Sequence, residues 1–314
     1  MSAQSSPTCL PKIRGRIQAG AHTGAYKRAH TQVRPYGALM TIEQRTVTAN
    51  GLAYRIDISG DGPPLLLLHG FTGSRRNWRP HLPAFASDFK VIALDLLGHG
   101  ETAVPQTPQR YQMEQAAADL VTIIDQITTP PVHLLGYSMG GRLALYFALN
   151  FYPYVRKLIL ESASPGLKTA QARAERQQRD EALADFIERE GIVAFVDRWE
   201  KLPLWATQKQ AETAVRQTLR QQRLQNNPAG LAHSLRGMGT GVQPSLWPHL
   251  SQMDTPTLLL CGELDDKFVA INREMVTLMP QAQLAIVPQA GHTVHWERPL
   301  LFQQICRHFL HAAT

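Results

Sequence analysis

Val132-His133-Leu134-Leu135-Gly136-Tyr137-Ser138-Met139-Gly140-Gly141-Arg142 is the stretch whose reading decides the fold. Val132 to Leu135 reads as a short buried strand, and Met139 to Leu149 has helical spacing. Between them, Gly136-x-Ser138-x-Gly140 leaves room only for a very tight turn. A Cβ at either glycine would clash, while the serine takes a strained conformation that holds its hydroxyl clear. Five residues with three fixed positions recur by chance, and an ordinary Gly-rich βα turn is the competing reading. The strand before and the helix after are the context that marks a nucleophile elbow.

Working outward, short apolar runs alternate with helical periods. Thr46–Asn50 and Leu52–Ile58 form a hairpin around Asn50-Gly51, a turn pair that tolerates positive φ. Leu65–Leu68 and Val91–Leu94 are continuous apolar runs, as expected of strands covered on both faces. Met113–Ile127 repeats with helical spacing and ends at Pro130-Pro131, and Val155–Leu160 is a further strand. The alternation predicts an α/β fold with a mostly parallel central sheet flanked by helices. From about 164 to 250 it stops, and the chain is helical in character, with Leu183, Phe186 and Ile187 on one face and Gly191 as a stop. Strands return at Thr257–Cys261 and Leu284–Val287, and a last helix runs from about Arg298 to His311. A helical block between two halves of a parallel sheet is expected to cap the strand ends, where such sheets bind ligands.

A serine hydroxyl at neutral pH needs a histidine to take its proton and a carboxylate to orient that histidine. In this fold the partners follow in the order Ser, Asp, His, on loops after later strands. Asp265, in Gly262-Glu263-Leu264-Asp265, and His292, in Ala290-Gly291-His292, stand at those places. The competitors are weaker. Asp266 is one residue late and Glu263 early. His295 reads as a satisfied or partly exposed histidine, with a pocket-lining role as the alternative. Asp95 and His99 follow the wrong strand and are read as loop-stabilising. His69-Gly70-Phe71 directly follows a strand, so the Phe71 N–H, paired with that of Met139 at a helix N-terminus, is expected to form an oxyanion hole.

Composition bounds the rest. The 314 residues are 44% hydrophobic and 18% charged, which is globular, and the apolar runs are far too short for a membrane span. Of the formal charge of +7, residues 1–39 carry +6 with no acid, leaving +1 on the remainder. No basic stripe on the folded body invites nucleic acid. The tail, expected to be disordered, fits three readings: an upstream-annotated start with Met40 as the true one, a bacterial extension, or a transit peptide. Cys9, Cys261 and Cys306 form neither a disulfide framework nor a metal site, and buried thiols in a reducing compartment are the default.

Together His69-Gly70-Phe71, Asp95…Gly98-His99-Gly100, Gly136–Gly140, Asp265 and His292 resemble the α/β-hydrolase superfamily across roughly residues 46–311. Arg142, one turn after Ser138, stands where many hydrolases of this fold have a small or apolar residue. Arg176 and Arg223 fall in the helical block. Singly, such arginines are most often solvated surface charges; converging on one pocket they suit a substrate with several carboxylates.

The combination resembles one family closely, 2-succinyl-6-hydroxy-2,4-cyclohexadiene-1-carboxylate (SHCHC) synthase of menaquinone and phylloquinone biosynthesis. The matching stretches are Gly136–Arg142, Glu161-Ser-Ala-Ser-Pro165-Gly166-Leu167, Arg173…Arg176…Asp180, Trp199 with Pro203, Leu219–Arg223 with Asn226-Asn227, Gln243-Pro244…Leu246-Trp247, Gly262–Phe268 and Gly291-His292…His295–Pro299. The resemblance implies a lyase that expels pyruvate, with Ser138, Asp265 and His292 as the base and Phe71 and Met139 at the oxyanion. It also implies that Tyr137, Arg142, Arg176, Trp199 and Arg223 hold a small polycarboxylate. It implies no metal and no organic cofactor, and a cytoplasmic monomer or small homo-oligomer, or a plastid protein if the tail is a transit peptide. Two alternatives share the residues: a serine hydrolase of esters or of carbon–carbon bonds beside a ketone, and a receptor without turnover.

Overall fold

The structure, a computed structural model, describes residues 41–313; the basic 1–39 segment, Met40 and Cys9 lie outside the described residues. Eight strands form one sheet: β1 (Glu43–Ala49), β2 (Leu52–Ser59), β3 (Pro64–Leu68), β4 (Lys90–Leu94), β5 (Val132–Tyr137), β6 (Val155–Glu161), β7 (Thr257–Gly262) and β8 (Ala282–Val287). Their order is β1-β2-β4-β3-β5-β6-β7-β8. The β1–β2 and β2–β4 pairs are antiparallel and the rest parallel. The hairpin turn falls on Asn50 and Gly51, both at positive φ (48° and 81°). That is the conformation which lets a two-residue turn match the twist of the strands.

The helices are α1 (Leu82–Phe85), α2 (Met113–Ile127), α3 (Met139–Asn150), α4 (Ala170–Trp199), α5 (Thr213–Leu224), α6 (Pro228–Met238), α7 (Asp266–Leu278), α8 (Val294–Glu297) and α9 (Pro299–His311). Apolar side chains alternate between two cores, one on each face of the sheet. Leu66, Leu68, Ile92 and Leu134 pack with Leu120, Ile124 and Phe147 of α2 and α3. Leu65, Leu67, Val91 and Leu135 pack on the other face with Trp78, Phe85 and Phe302. Burial on both faces is why these strands read as unbroken apolar runs.

Between β6 and β7 the chain is helical, with a small core of its own in which Ala184, Ile187 and Phe195 of α4 meet Leu231 and Leu235 of α6. Arg236 of α6 binds Glu181, Asp185 and Glu188 of α4 at 2.7, 2.6 and 2.9 Å, fastening the two helices outside that core. The expected stop at Gly191 is a kink instead. Gly191 takes φ 79° and ψ 178°, and helix resumes directly, so α4 is two segments reaching Trp199.

The loop after β3 is held by buried charge. The Arg75 guanidinium is 1% exposed and binds Asp57 at 2.7 Å, Glu101 at 2.9 Å and Asp95. Asp95 also accepts from the Arg75 and Glu101 backbone N–H groups at 2.6 and 2.9 Å, which is the loop-stabilising work expected of it. His69 accepts from the Leu96 N–H at 2.9 Å through Nε2 and donates to the Gly70 carbonyl at 2.8 Å through Nδ1, which fixes a neutral tautomer. Cys261 and Cys306 are buried free thiols; burial pushes Cys261 up to about 12, so it is unreactive.

Burial holds four histidines neutral, pushing His69 and His133 down to about 4 and His81 and His99 down to about 3. The unfolded chain takes up these protons near 6.5. Between about pH 6.5 and 4 the unfolded state therefore binds more protons, and stability falls as the pH is lowered. The expected loss is about 1 kcal/mol per pH unit for each histidine through that window. Urea unfolding at pH 7, 6 and 5 measures it, and a flat profile would show that these histidines titrate normally in the fold.

Candidate active site

The strand β5 ends at Tyr137 and α3 begins at Met139, so Ser138 carries the whole reversal. It sits at φ 49°, ψ −105°, outside the usual range for an L-residue. Two missing side chains permit the turn. A Cβ on Gly136 would lie 2.4 Å from the Gly140 carbonyl, and one on Gly140 would lie 2.5 Å from the Leu68 carbonyl. The Ser138 N–H donates to the Glu161 carbonyl at 2.8 Å, and Gly140 N–H to the His69 carbonyl at 3.1 Å, locking the elbow to the strand ends on both sides.

Asp265 and His292 come from the loops after β7 and β8. Asp265 caps α7, one carboxylate oxygen accepting from the Phe268 N–H at 3.3 Å. Its other oxygen lies 2.7 Å from His292 Nδ1, and His292 Nε2 lies 3.1 Å from Ser138 Oγ. With Nδ1 protonated and held by the carboxylate, Nε2 keeps a lone pair for the serine proton. The structure thus brings the three residues, far apart in sequence, into one hydrogen-bonded line. Among the described residues neither the Phe71 nor the Met139 backbone N–H donates to a protein acceptor. Gly70 approaches the elbow so closely that a Cβ there would stand 3.4 Å from that of Ser138. The arrangement leaves these two backbone N–H groups without a protein acceptor, on residues that line the space over the serine.

A cavity of about 150 Å³ opens over Ser138 and His292. Tyr137, Arg142, Arg176 and Trp199 line it. Tyr137 is buried, its hydroxyl 3.4 Å from Thr293 Oγ1 and its ring against His292 and His295; burial keeps the hydroxyl protonated. Arg142 donates to the Met238 carbonyl at 2.8 Å and to Gln243 at 2.9 Å, which ties the elbow helix to the end of α6. Burial, helped by Arg176, pushes Arg142 down to about 10, so it remains a cation at neutral pH. Arg176 is held by Asp180, one turn along α4, at 2.7 Å. Trp199 stands edge-on to Phe71 with ring centres 5.4 Å apart.

Arg223 does not line this cavity: Glu200 and Gln208 hold its guanidinium at 2.9 Å each, and the Trp205 ring lies under it. It lines a neighbouring hollow behind Trp205 instead. His295 likewise stays off the wall, donating from Nδ1 to the buried Glu161 carboxylate at 2.8 Å. Lys267, Ser162 and Trp205 are among the wall residues that no motif singled out. Lys267 follows the triad acid by two residues, where it reads as an ordinary first-turn lysine. Ser162 follows β6 inside a quoted motif without drawing notice. Trp205 has its ring 5.8 Å from that of His292. Only the folded sheet gathers them.

Residues 63–299 match the family model described as alpha/beta hydrolase fold. A Bacillus subtilis (strain 168) protein assigned as a 2-succinyl-6-hydroxy-2,4-cyclohexadiene-1-carboxylate synthase is 48% identical over 82% of this chain and 94% of its own length. The chloroplastic protein PHYLLO of Arabidopsis thaliana is 32% identical over 80% of this chain and 16% of its own length. The solved structure of MenH from S. aureus superposes with a TM-score of 0.78 at 36% identity, covering 85% of this chain and 97% of that one.

The line Asp265–His292–Ser138 makes one demand that is easily tested. Asp265→Asn keeps the shape but offers an amide to Nδ1, favouring the tautomer that blocks Nε2. A loss of about 10³- to 10⁴-fold in kcat with an unchanged melting temperature is expected, measured by turnover and calorimetry on the same preparation.

Proposed function

This chain belongs to the SHCHC synthase family within the α/β-hydrolase superfamily, and we propose that its Ser138–His292–Asp265 line serves as the base that expels pyruvate from 2-succinyl-5-enolpyruvyl-6-hydroxy-3-cyclohexene-1-carboxylate. The enzyme is a carbon–oxygen lyase of menaquinone and phylloquinone biosynthesis. In the elimination, the ring proton beside the succinyl ketone leaves as a proton. Its electron pair moves into the ring, the ring double bond shifts, and the bond to the enolpyruvyl oxygen breaks. The departing enolpyruvate takes a proton from water to become pyruvate.

The observation that supports this reading best is the charge of the cavity. Arg142, Arg176 and Lys267 all stand on its wall, and the substrate carries three carboxylates, one each on the ring, the succinyl chain and the enolpyruvyl group. Guanidinium pairs with carboxylate through two parallel hydrogen bonds, and a lysine adds a point charge. Tyr137 and Trp199 supply flat walls against which a six-membered ring can lie. His292, oriented by Asp265, polarises the Ser138 hydroxyl so that its oxygen takes the ring proton. The Phe71 and Met139 N–H groups stabilise charge on the ketone oxygen. In this account Arg223 acts at one remove: it stacks on Trp205 and so holds a wall of the cavity in place.

The helical segment from α4 to α6 serves as a cap over the strand ends in this reading, since it contributes Arg176, Leu183, Trp199 and Met238 to the cavity. Among the described residues no helix is long and apolar enough to cross a membrane. We place the enzyme in the cytoplasm, acting on a small molecule with neither nucleic acid nor metal as partner, as a monomer or small homo-oligomer.

Incubating the purified protein with the enolpyruvyl substrate and coupling pyruvate to lactate dehydrogenase tests the assignment. Release well above the spontaneous rate is expected, with none from Ser138→Ala. Arg176→Ala and Lys267→Met should each raise KM about tenfold or more, because a carboxylate loses its partner (a factor of ten is about 1.4 kcal/mol), while the fold survives. Hydrolysis of a simple aryl ester without pyruvate release would assign the same residues to a hydrolase.

A further inference from the structure

A second serine, at the end of the strand next to the elbow, shares the positive φ of Ser138. The β5–β6 pairing ends with Tyr137 opposite Glu161, so Ser138 and Ser162 are the next residues past the ends of two adjacent strands. Ser138 has φ 49° and Ser162 φ 48°. An L-residue is strained there, and a serine has no need of that conformation for its own sake. The Ser162 N–H donates to the Leu260 carbonyl at 2.8 Å, which holds its backbone between β5 and β7. Its side chain is fully buried, its hydroxyl meets no protein partner, and it lines the catalytic cavity. A buried hydroxyl without a partner is costly, and a strained residue that carries one adds to the cost. Both are explained if the missing partner is the substrate.

Ser164 accepts from the Gly166 N–H at 3.4 Å and Ser234 points at the Met139 sulfur at 3.7 Å, while the Ser162 hydroxyl is both fully buried and without a partner. The indole N–H groups of Trp199 and Trp205 also lack partners, but both belong to the helical segment rather than to the sheet. Ser162 is therefore the fully buried, unpartnered wall hydroxyl, one residue past the end of β6 and next to the strand that carries Ser138.

Its side of the sheet says which atom it serves. Strand β5 lies between β3 and β6. Phe71, after β3, and Ser162, after β6, therefore flank Ser138 on opposite sides. In the proposed elimination, negative charge develops at two places. One is the ketone oxygen beside the carbon that loses its proton, and the other is the oxygen that leaves from the opposite end of the ring. The first is served by the N–H groups of Phe71 and Met139.

We propose that the Ser162 hydroxyl donates a hydrogen bond to the second, the departing enolpyruvyl oxygen, as its bond to the ring breaks. This rests on the functional reading above. The hydroxyl keeps its proton; it stabilises charge on the leaving oxygen, and the enolate is protonated by water after release.

Two variants separate this role from a packing role. Glycine adopts φ 48° without strain, so Ser162→Gly should raise the melting temperature while lowering kcat about 10- to 100-fold, with KM little changed. Ser162→Ala keeps the strain and loses the hydroxyl, so it should lower kcat equally without the gain in stability. If it fails to fold, the glycine variant decides alone. A wild-type kcat in Ser162→Gly, or a rise in KM alone, overturns the assignment. Wild-type protein that releases no pyruvate would sink the functional reading itself, whereas an active wild type with unaffected variants would sink only the role of Ser162.

Discussion

The rest of the structure depends on how closely two backbones approach at the elbow. The start of α3 lies against the end of β3, so close that a Cβ on Gly140 would stand 2.5 Å from the Leu68 carbonyl oxygen. That approach lets Gly140 donate to His69, seats the Phe71 loop beside Ser138, and aims the α3 N-terminus at the cavity. The strain at Ser138 is compensated by its bond to Glu161 and by the core beneath, where Leu134, Leu143 and Phe147 are fully buried. A larger residue at Gly136 or Gly140 would cost the site before it cost the fold.

Around that fixed point, charge is handled in two ways. Below the sheet ends, charges are buried and fully paired, as in Arg75 with Asp57 and Asp95; removing one partner of such a set is destabilising by about 3–5 kcal/mol. Over the serine, Arg142 is held by a carbonyl and an amide and Arg176 by one carboxylate, so each keeps N–H groups for a ligand. The contrast separates a loop anchor from a binding wall, though both are made of arginines. Arg223 is held in the same partial way, by the Glu200 carboxylate and the Gln208 amide, beside an adjoining hollow.

The strands and the order of the triad were legible because their signals are local. An apolar run of four or five residues between turn residues is a buried strand whatever surrounds it, and β3, β4, β5, β6 and β7 stand where such runs predict them. Helix α7 was harder to see. Its sequence, Asp266–Leu278, buries only Phe268, Asn272 and Met275, so its apolar face is too thin to announce a period. The kink at Gly191 was half legible: the glycine marks the break, but whether helix resumes depends on the packing of Phe195 and Val196 beyond it.

By itself, the sequence determined that this chain is an α/β-hydrolase with a serine on a strained turn, an aspartate and a histidine on the right later loops, and the motifs of one synthase family. Those are matters of residue type, spacing and order, which survive without coordinates. Tertiary structure decided which cations line the cavity over the serine, bringing Lys267 to its wall and setting Arg223 in the adjoining hollow, because a side chain's direction depends on the neighbours that hold it. It decided equally that Ser162 and Ser138 follow the ends of adjacent strands. Twenty-four residues separate them in the chain, and only the register of β5 against β6 brings those ends level.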